Sequence, residues 1–139
     1  MNKAKGIKKK ILIVGFFIYT IFLVRGIYWY FYLNGINTQV IISTQYSPIP
    51  SSIEVYIDDQ LYYKNDSLQV LYDFTDGLHL SCGFHHLKVV VDGIEELAES
   101  FIVFPVRWIY IEVQKYDEDY RHNENWFSVE YSSTPIRLM

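Results

Sequence analysis

The stretch from Met1 to Leu33 constrains this chain more than any other. "MNKAKGIKKK" carries five lysines, and "ILIVGFFIYTIFLV" follows with fourteen uncharged residues, among which Thr20 is the one clearly polar side chain. Fourteen helical residues rise only about 21 Å, short of the roughly 30 Å hydrocarbon core of a bilayer, so a spanning helix continues through Arg25 into "GIYWYFYL". A central arginine costs about 2.5 to 3.5 kcal/mol on insertion scales, less where its stem carries the guanidinium toward the headgroups, and the apolar gain of its neighbours exceeds that. Tyr28, Trp29, Tyr30 and Tyr32 fall where a helix entering at Ile11 meets the far interface, the depth at which amphipathic rings are enriched. The sequence therefore predicts a basic cytoplasmic N-terminus over 1–10, a transmembrane anchor over 11–33 that makes the contact with the lipid bilayer, and an extracytoplasmic domain over 37–139, oriented by the lysines. A cleaved secretory signal and a buried soluble helix compete with this reading. Against cleavage, Arg25, Gly26, Ile27, Tyr28 and Trp29 include mostly bulky residues where a small-x-small site is needed.

Charge is split along the same boundary. Residues 1–33 hold six basic and no acidic side chains, which leaves six basic and sixteen acidic for 34–139, a balance of +6 against −10. A domain this acidic repels phosphate backbones, which excludes nucleic acid as the expected partner. The single cysteine, Cys82, forms no intrachain disulfide and lies too far from the apolar run to be a lipoprotein cysteine, so stability must come from apolar burial.

From Thr38 onward the apolar period is two, β-branched and aromatic residues dominate, and turn formers separate the runs. "NTQVIIST", "SSIEVYID", "LQVLYDF", "GFHHLKVVV", "LAESFIVF", "RWIYIEVQK" and "WFSVEYSS" read as strands, and "DDQLYYKNDS" as a polar turn around short extended pieces. Asn34 to Asn37 reads as a short linker; Gly77 and Asp92-Gly93 read as tight turns. The predicted fold is all-β: a small antiparallel sandwich of about seven strands behind one N-terminal transmembrane helix.

"LSCGFHHLKVVVDG" crowds Cys82, His85 and His86 into five positions, as a metal or catalytic cluster would. Alternation along a strand separates them, with His85, Leu87, Val89 and Val91 on one face and His86 on the other, and no paired Cys or His motif supplies the four ligands that zinc usually takes. A nucleophile such as Ser81 or Cys82 lacks any surrounding hydrolase signature. His79 stands alone, and His122 sits among Asp117, Glu118, Asp119 and Glu124, a set that reads as a solvated acidic loop because it lacks the calcium-loop pattern. No catalytic, cofactor-binding or metal-binding residue is assigned, and no enzymatic activity is expected. The aromatics on polar faces, Tyr56, Tyr62, Tyr63, Trp108, Tyr110 and Trp126, offer a platform for a protein, peptide or glycan; otherwise they cover core edges or touch the bilayer surface.

The run from Pro50 to Val113 resembles the PEGA-type domain of bacterial envelope proteins. "PSSIEVYIDD" is similar to that family's opening P-x-x-x-V-x-V-D-G with one extra residue after Pro50, "CGFHHLKVVVDG" resembles its G-x-H-x-L-x-V strand with His85 at the family-like position, and "FIVFPVRWIYIEV" is similar to its closing strands. Asp59 stands where the family turn has glycine, and the threonine-proline pair before the central strand is missing. The tail "WFSVEYSSTPIRLM" is similar to the ending of small, uncharacterised, membrane-anchored bacterial proteins. The resemblance implies a small sandwich that acts as an envelope interaction module, with no catalytic residues to carry over. The expected role is a binding or scaffold module for an unidentified protein or glycan of the envelope. The alternative is an immunity or inhibitor protein that neutralises a secreted toxin at the membrane.

Overall fold

A computed structural model of the chain describes residues 3–44, 47–116 and 125–133. The first element, α1 (Lys3–Tyr32), is a single helix of 30 residues. Its segment Lys8–Tyr32 is long and apolar enough to cross a membrane, and only 6% of its most apolar stretch is buried within the protein. Apolar side chains such as Leu12, Phe16 and Phe22 face outward all round it, a surface that water does not tolerate and lipid does. The helix ends in a left-handed cap: Asn34 and Gly35 take positive φ (54° and 87°), the Gly35 amide donates to the Tyr30 carbonyl at 2.9 Å, and that of Asn34 to Phe31 at 3.2 Å. The predicted linker is thus a defined turn.

Among the described residues eight strands follow: β1 (Thr38–Ser43), β2 (Ser51–Ile57), β3 (Gln60–Leu68), β4 (Asp73–Phe74), β5 (Gly83–Val91), β6 (Ile94–Val103), β7 (Arg107–Gln114) and β8 (Trp126–Ser132). They form two four-stranded sheets, ordered β4-β1-β7-β8 and β3-β2-β5-β6. All pairings are antiparallel except β1 with β7, which run parallel from Thr38↔Arg107 to Ser43↔Glu112 because both strands start beside the end of α1. The sandwich expected from the sequence is present, with one strand more than expected and one parallel ladder.

The extra strand corrects one expectation. Polar "QLYYKNDSL" is a full nine-residue strand that takes Leu68 from "LQVLYDF", and of the rest of that stretch only Asp73–Phe74 pairs as a named strand, against β1. β3 tolerates its polar residues because it is the edge of its sheet, with Leu61, Lys64 and Asp66 facing solvent. Its position is set by the two-residue turn Asp58-Asp59, in which both residues take positive φ (50° and 63°), the geometry that closes a tight hairpin. Asp59 therefore adopts the left-handed conformation that a glycine would take there.

The core lies between the sheets and is built from the alternating residues read off the sequence: Ile53, Val55 and Ile57 from β2; Leu87, Val89 and Val91 from β5; Ile109, Ile111 and Val113 from β7. Phenols close both sides. On one side the Tyr62 hydroxyl meets Thr75 Oγ1 at 2.5 Å and the Tyr63 hydroxyl meets Asp73 Oδ2 at 2.5 Å; on the other, Tyr131 stacks on Phe101 and donates to Glu99 Oε1 at 2.7 Å. Adjacent Tyr62 and Tyr63 both reach the facing sheet edge because a bulge opposite Val55 and Tyr56 interrupts alternation in β3.

Candidate functional site

The histidine segment resolves into a structural clamp. His85 points into the sandwich and is only 8% exposed, while His86 faces outward beside Ser100. His85 Nε2 lies 2.8 Å from the Ser81 carbonyl and Nδ1 lies 2.7 Å from Asp58 Oδ2. A carbonyl only accepts, so Nε2 carries a proton, and an ionised carboxylate at the other nitrogen calls for a second one. Burial pushes the imidazole down, but the hydrogen bonds to Asp58 and Ser81 outweigh it and hold it above its ordinary value. The same bond from His85, with help from the His86 amide, holds the Asp58 carboxyl below the usual range. Below its raised value the ring is thus an imidazolium paired with a carboxylate. Neither nitrogen has a free lone pair, Ser81 offers its carbonyl and not its hydroxyl, and Cys82 lies exposed ahead of β5.

The opposite end of the β2–β5 ladder repeats the device. Asp58 donates its amide to the His86 carbonyl and accepts the His86 amide at Oδ1, both at 2.9 Å. Asp92 donates its amide to the Ser52 carbonyl and accepts the Ser52 amide at Oδ1, again at 2.9 Å each. In each turn the second carboxylate oxygen takes a cation at 2.7 Å, His85 in one and the Lys115 ammonium in the other. The sequence marks the two turns by Asp58-Asp59 and Asp92-Gly93 but does not reveal that each locks onto the neighbouring strand.

The predicted aromatic platform is dispersed. Trp108 and Tyr110 are buried, not exposed: the end of α1 covers Trp108, with Trp29 packed edge-on at 5.7 Å between centroids, Tyr72 lies against Tyr110 at 6.4 Å, and Tyr30 and Leu33 join Ile41 and Val106 in the same cluster. Tyr62 and Tyr63 close the core edge, and burial raises Tyr63 to about 12, its bond to Asp73 adding to the shift. Tyr56 lies under the Lys88 ammonium, 4.3 Å from the ring centre. His79 Nδ1 meets the Gly35 carbonyl at 2.9 Å, beside the Tyr30 ring. Residues 117–124, with His122 and the acidic set read for calcium, lie outside the described residues. Among the described residues no three His, Cys, Asp or Glu side chains gather as a metal site.

Of the six aromatics, Tyr62 and Tyr63 line a cleft of about 260 Å³ with Asp73 and Asp76 at the core edge, and Trp126 lines another at one pole. β1 and β7 begin beside α1, so the far ends of β5 and β7 and the start of β8 lie at the pole remote from the helix. There a cleft of about 270 Å³ opens between the sheets, lined among others by Ser51, Ile94, Gln114, Lys115, Asn125 and Trp126. Trp126 and Ile94 are exposed, and Ser51 is buried with a hydroxyl that has no hydrogen-bond partner among the described residues. Such a group costs about 1–3 kcal/mol unless something supplies the partner. Apolar surface, amide donors and acceptors, and an ion pair together suit a polar ligand that also stacks or packs. Apart from Trp126 these residues carry no local sequence signal, because four separate segments meet only in the folded sandwich. Comparison with protein-family models, with curated proteins and with solved structures finds no match to this chain.

Proposed function

We propose that this protein is a single-pass, membrane-anchored binding or scaffold module of the bacterial envelope, with its N-terminus cytoplasmic and its sandwich outside, holding the distal cleft toward a protein or glycan component. The observation that carries this reading is the polarity of the molecule. One pole is joined to a helix fit for lipid, and the other holds a cleft with an exposed tryptophan and a buried hydroxyl that has no partner among the described residues. The lysines at the start of α1 support the orientation, and the resemblance of Pro50–Val113 to PEGA-type modules supports the envelope role. The role needs no catalysis, and the occupied nitrogens of His85 fit that.

Photo-crosslinking residues placed at Ile94 and Trp126 of the full chain in its native envelope test it, with a third at Leu61, exposed on the side of the sandwich. The two distal positions are expected to give one discrete adduct and Leu61 none, and Trp126→Ala is expected to weaken capture at position 94 by about tenfold, the loss of one well-placed aromatic contact. Equal labelling from all three positions, or none from the distal pair, removes the cleft from the proposal.

A further inference from the structure

Gly26 of α1 is a depth gauge for the sandwich. It is buried, and a Cβ built on it would lie 2.0 Å from Pro105 Cγ, so the β6–β7 connection rests directly on the helix backbone at that level. If Lys8, Lys9 and Lys10 stay in one headgroup layer, about 30 Å of hydrocarbon is crossed by some 20 residues from Ile11, which places the far boundary near Tyr30 or Phe31. Gly26 then lies about 6 or 7 Å inside it, and any tilt of the helix leaves it deeper. Placing Arg25 at the headgroups instead would leave only about 21 Å of apolar helix, and Gly26 would still sit at the interface.

The connection is chemically suited to that depth. Phe104 and Ile102 expose apolar side chains, as does Phe84, the cross-strand partner of Ile102. Pro105 has no amide hydrogen to leave unpaired, and the Ile102 carbonyl accepts from Arg107 Nε at 2.7 Å, so the turn carries fewer free polar groups than an ordinary loop. A mostly apolar cleft of about 370 Å³, with Arg25 and Ser133 also in its wall, lies between Phe104 and the helix stripe Gly15, Ile18, Tyr19 and Phe22, continuous with the lipid-facing surface of α1. We propose that the Phe104-Pro105 connection is a second membrane contact, seated among the lipids of the leaflet that α1 leaves, so that the sandwich is docked on the bilayer and not merely tethered to it. This rests on α1 spanning the membrane, though not on which way round it does so.

Depth measurements on the full chain in phosphatidylcholine–phosphatidylglycerol vesicles test the proposal. A Cys82→Ser background carries one fluorophore at a time, at Phe104→Cys, at Val14→Cys within the span or at Ile94→Cys at the distal pole; positions 104, 14 and 94 are all exposed, so the labels need no core rearrangement. The probe at 104 is expected to be quenched by nitroxide-bearing lipids several-fold more than that at 94, and to be shielded from aqueous iodide. The native chain gives a second readout without substitution: its lone Cys82 lines a cleft with Ile27, Phe31 and Pro105, and a label there is expected at headgroup depth. If 104 and Cys82 are as open to iodide as 94 while Val14 stays lipid-quenched, the anchor stands and the docking contact is wrong. If Val14 is also open to iodide, the spanning helix itself is wrong and the proposal falls with it.

Discussion

Asp58 shows how much one side chain organises here: it closes a hairpin, holds two backbone groups of β5 and neutralises the inward imidazole. A histidine raised by such a partner contributes stability that is complete below its unfolded pKa of about 6.5 and lost as the pH rises through the folded value. A lowered aspartate contributes stability present above about pH 3.9 and lost as the pH falls through its folded value. The pair is therefore most stabilising between roughly pH 4 and 6.5. Asp58→Asn is expected to cost about 1 kcal/mol near pH 6, the low end for removing a partner from a buried group because the carboxylate is itself half-exposed, and the difference should shrink as the pH rises through the raised imidazole value. Thermal melts of both proteins in one detergent from pH 5 to 9 decide it, and a cost that does not change with pH would exclude the ion pair. The sequence placed His85 on the apolar face because alternation is local. It was silent about Asp58 because a contact 27 residues away depends on β2 and β5 lying side by side.

Among the elements, α1 and β7 are the pair whose meeting matters most. Alternation correctly put Trp108 and Tyr110 on the face away from the core, but it could not say that another element covers that face. If Trp29 and Trp108 couple as packed aromatics do, Trp108→Ala should cost about 3–5 kcal/mol, and a double-mutant cycle with Trp29→Ala should return a coupling of about 0.5–1.5 kcal/mol. Denaturant unfolding of the full chain in micelles measures both, and strict additivity would mean that the helix end does not bear on the sheet. β3 and β4 teach the complementary lesson. A polar strand at a sheet edge and an apolar segment outside the ladders both run against pattern reading, since pairing follows the Asp58-Asp59 turn and not hydrophobicity alone.

Taken whole, the protein is a helix and a sandwich that share a hydrophobic cluster, so the boundary near Asn37 is a boundary in sequence more than in packing. A chain beginning at Asn37 would lose Trp29, Tyr30 and Leu33 from the cluster and uncover an apolar patch around Trp108 of the kind that drives association. It is expected to self-associate or bind a hydrophobic dye at concentrations where the full chain in micelles is monomeric, as sedimentation would show. A monodisperse, dye-free fragment would mean that the cluster closes without α1.

The membrane-fit helix, the β class, the core faces of β2, β5 and β7, and the separation of His85 from His86 were all legible in the order of residues, because each rests on a local period or a run of one chemistry. The parallel meeting of β1 and β7, the two aspartate clamps, the burial of Trp108 beneath Trp29 and the cleft at Ser51 and Trp126 arose only on folding. Each joins residues distant in the chain, and such contacts are chosen by which strands lie side by side, a choice that no local pattern encodes.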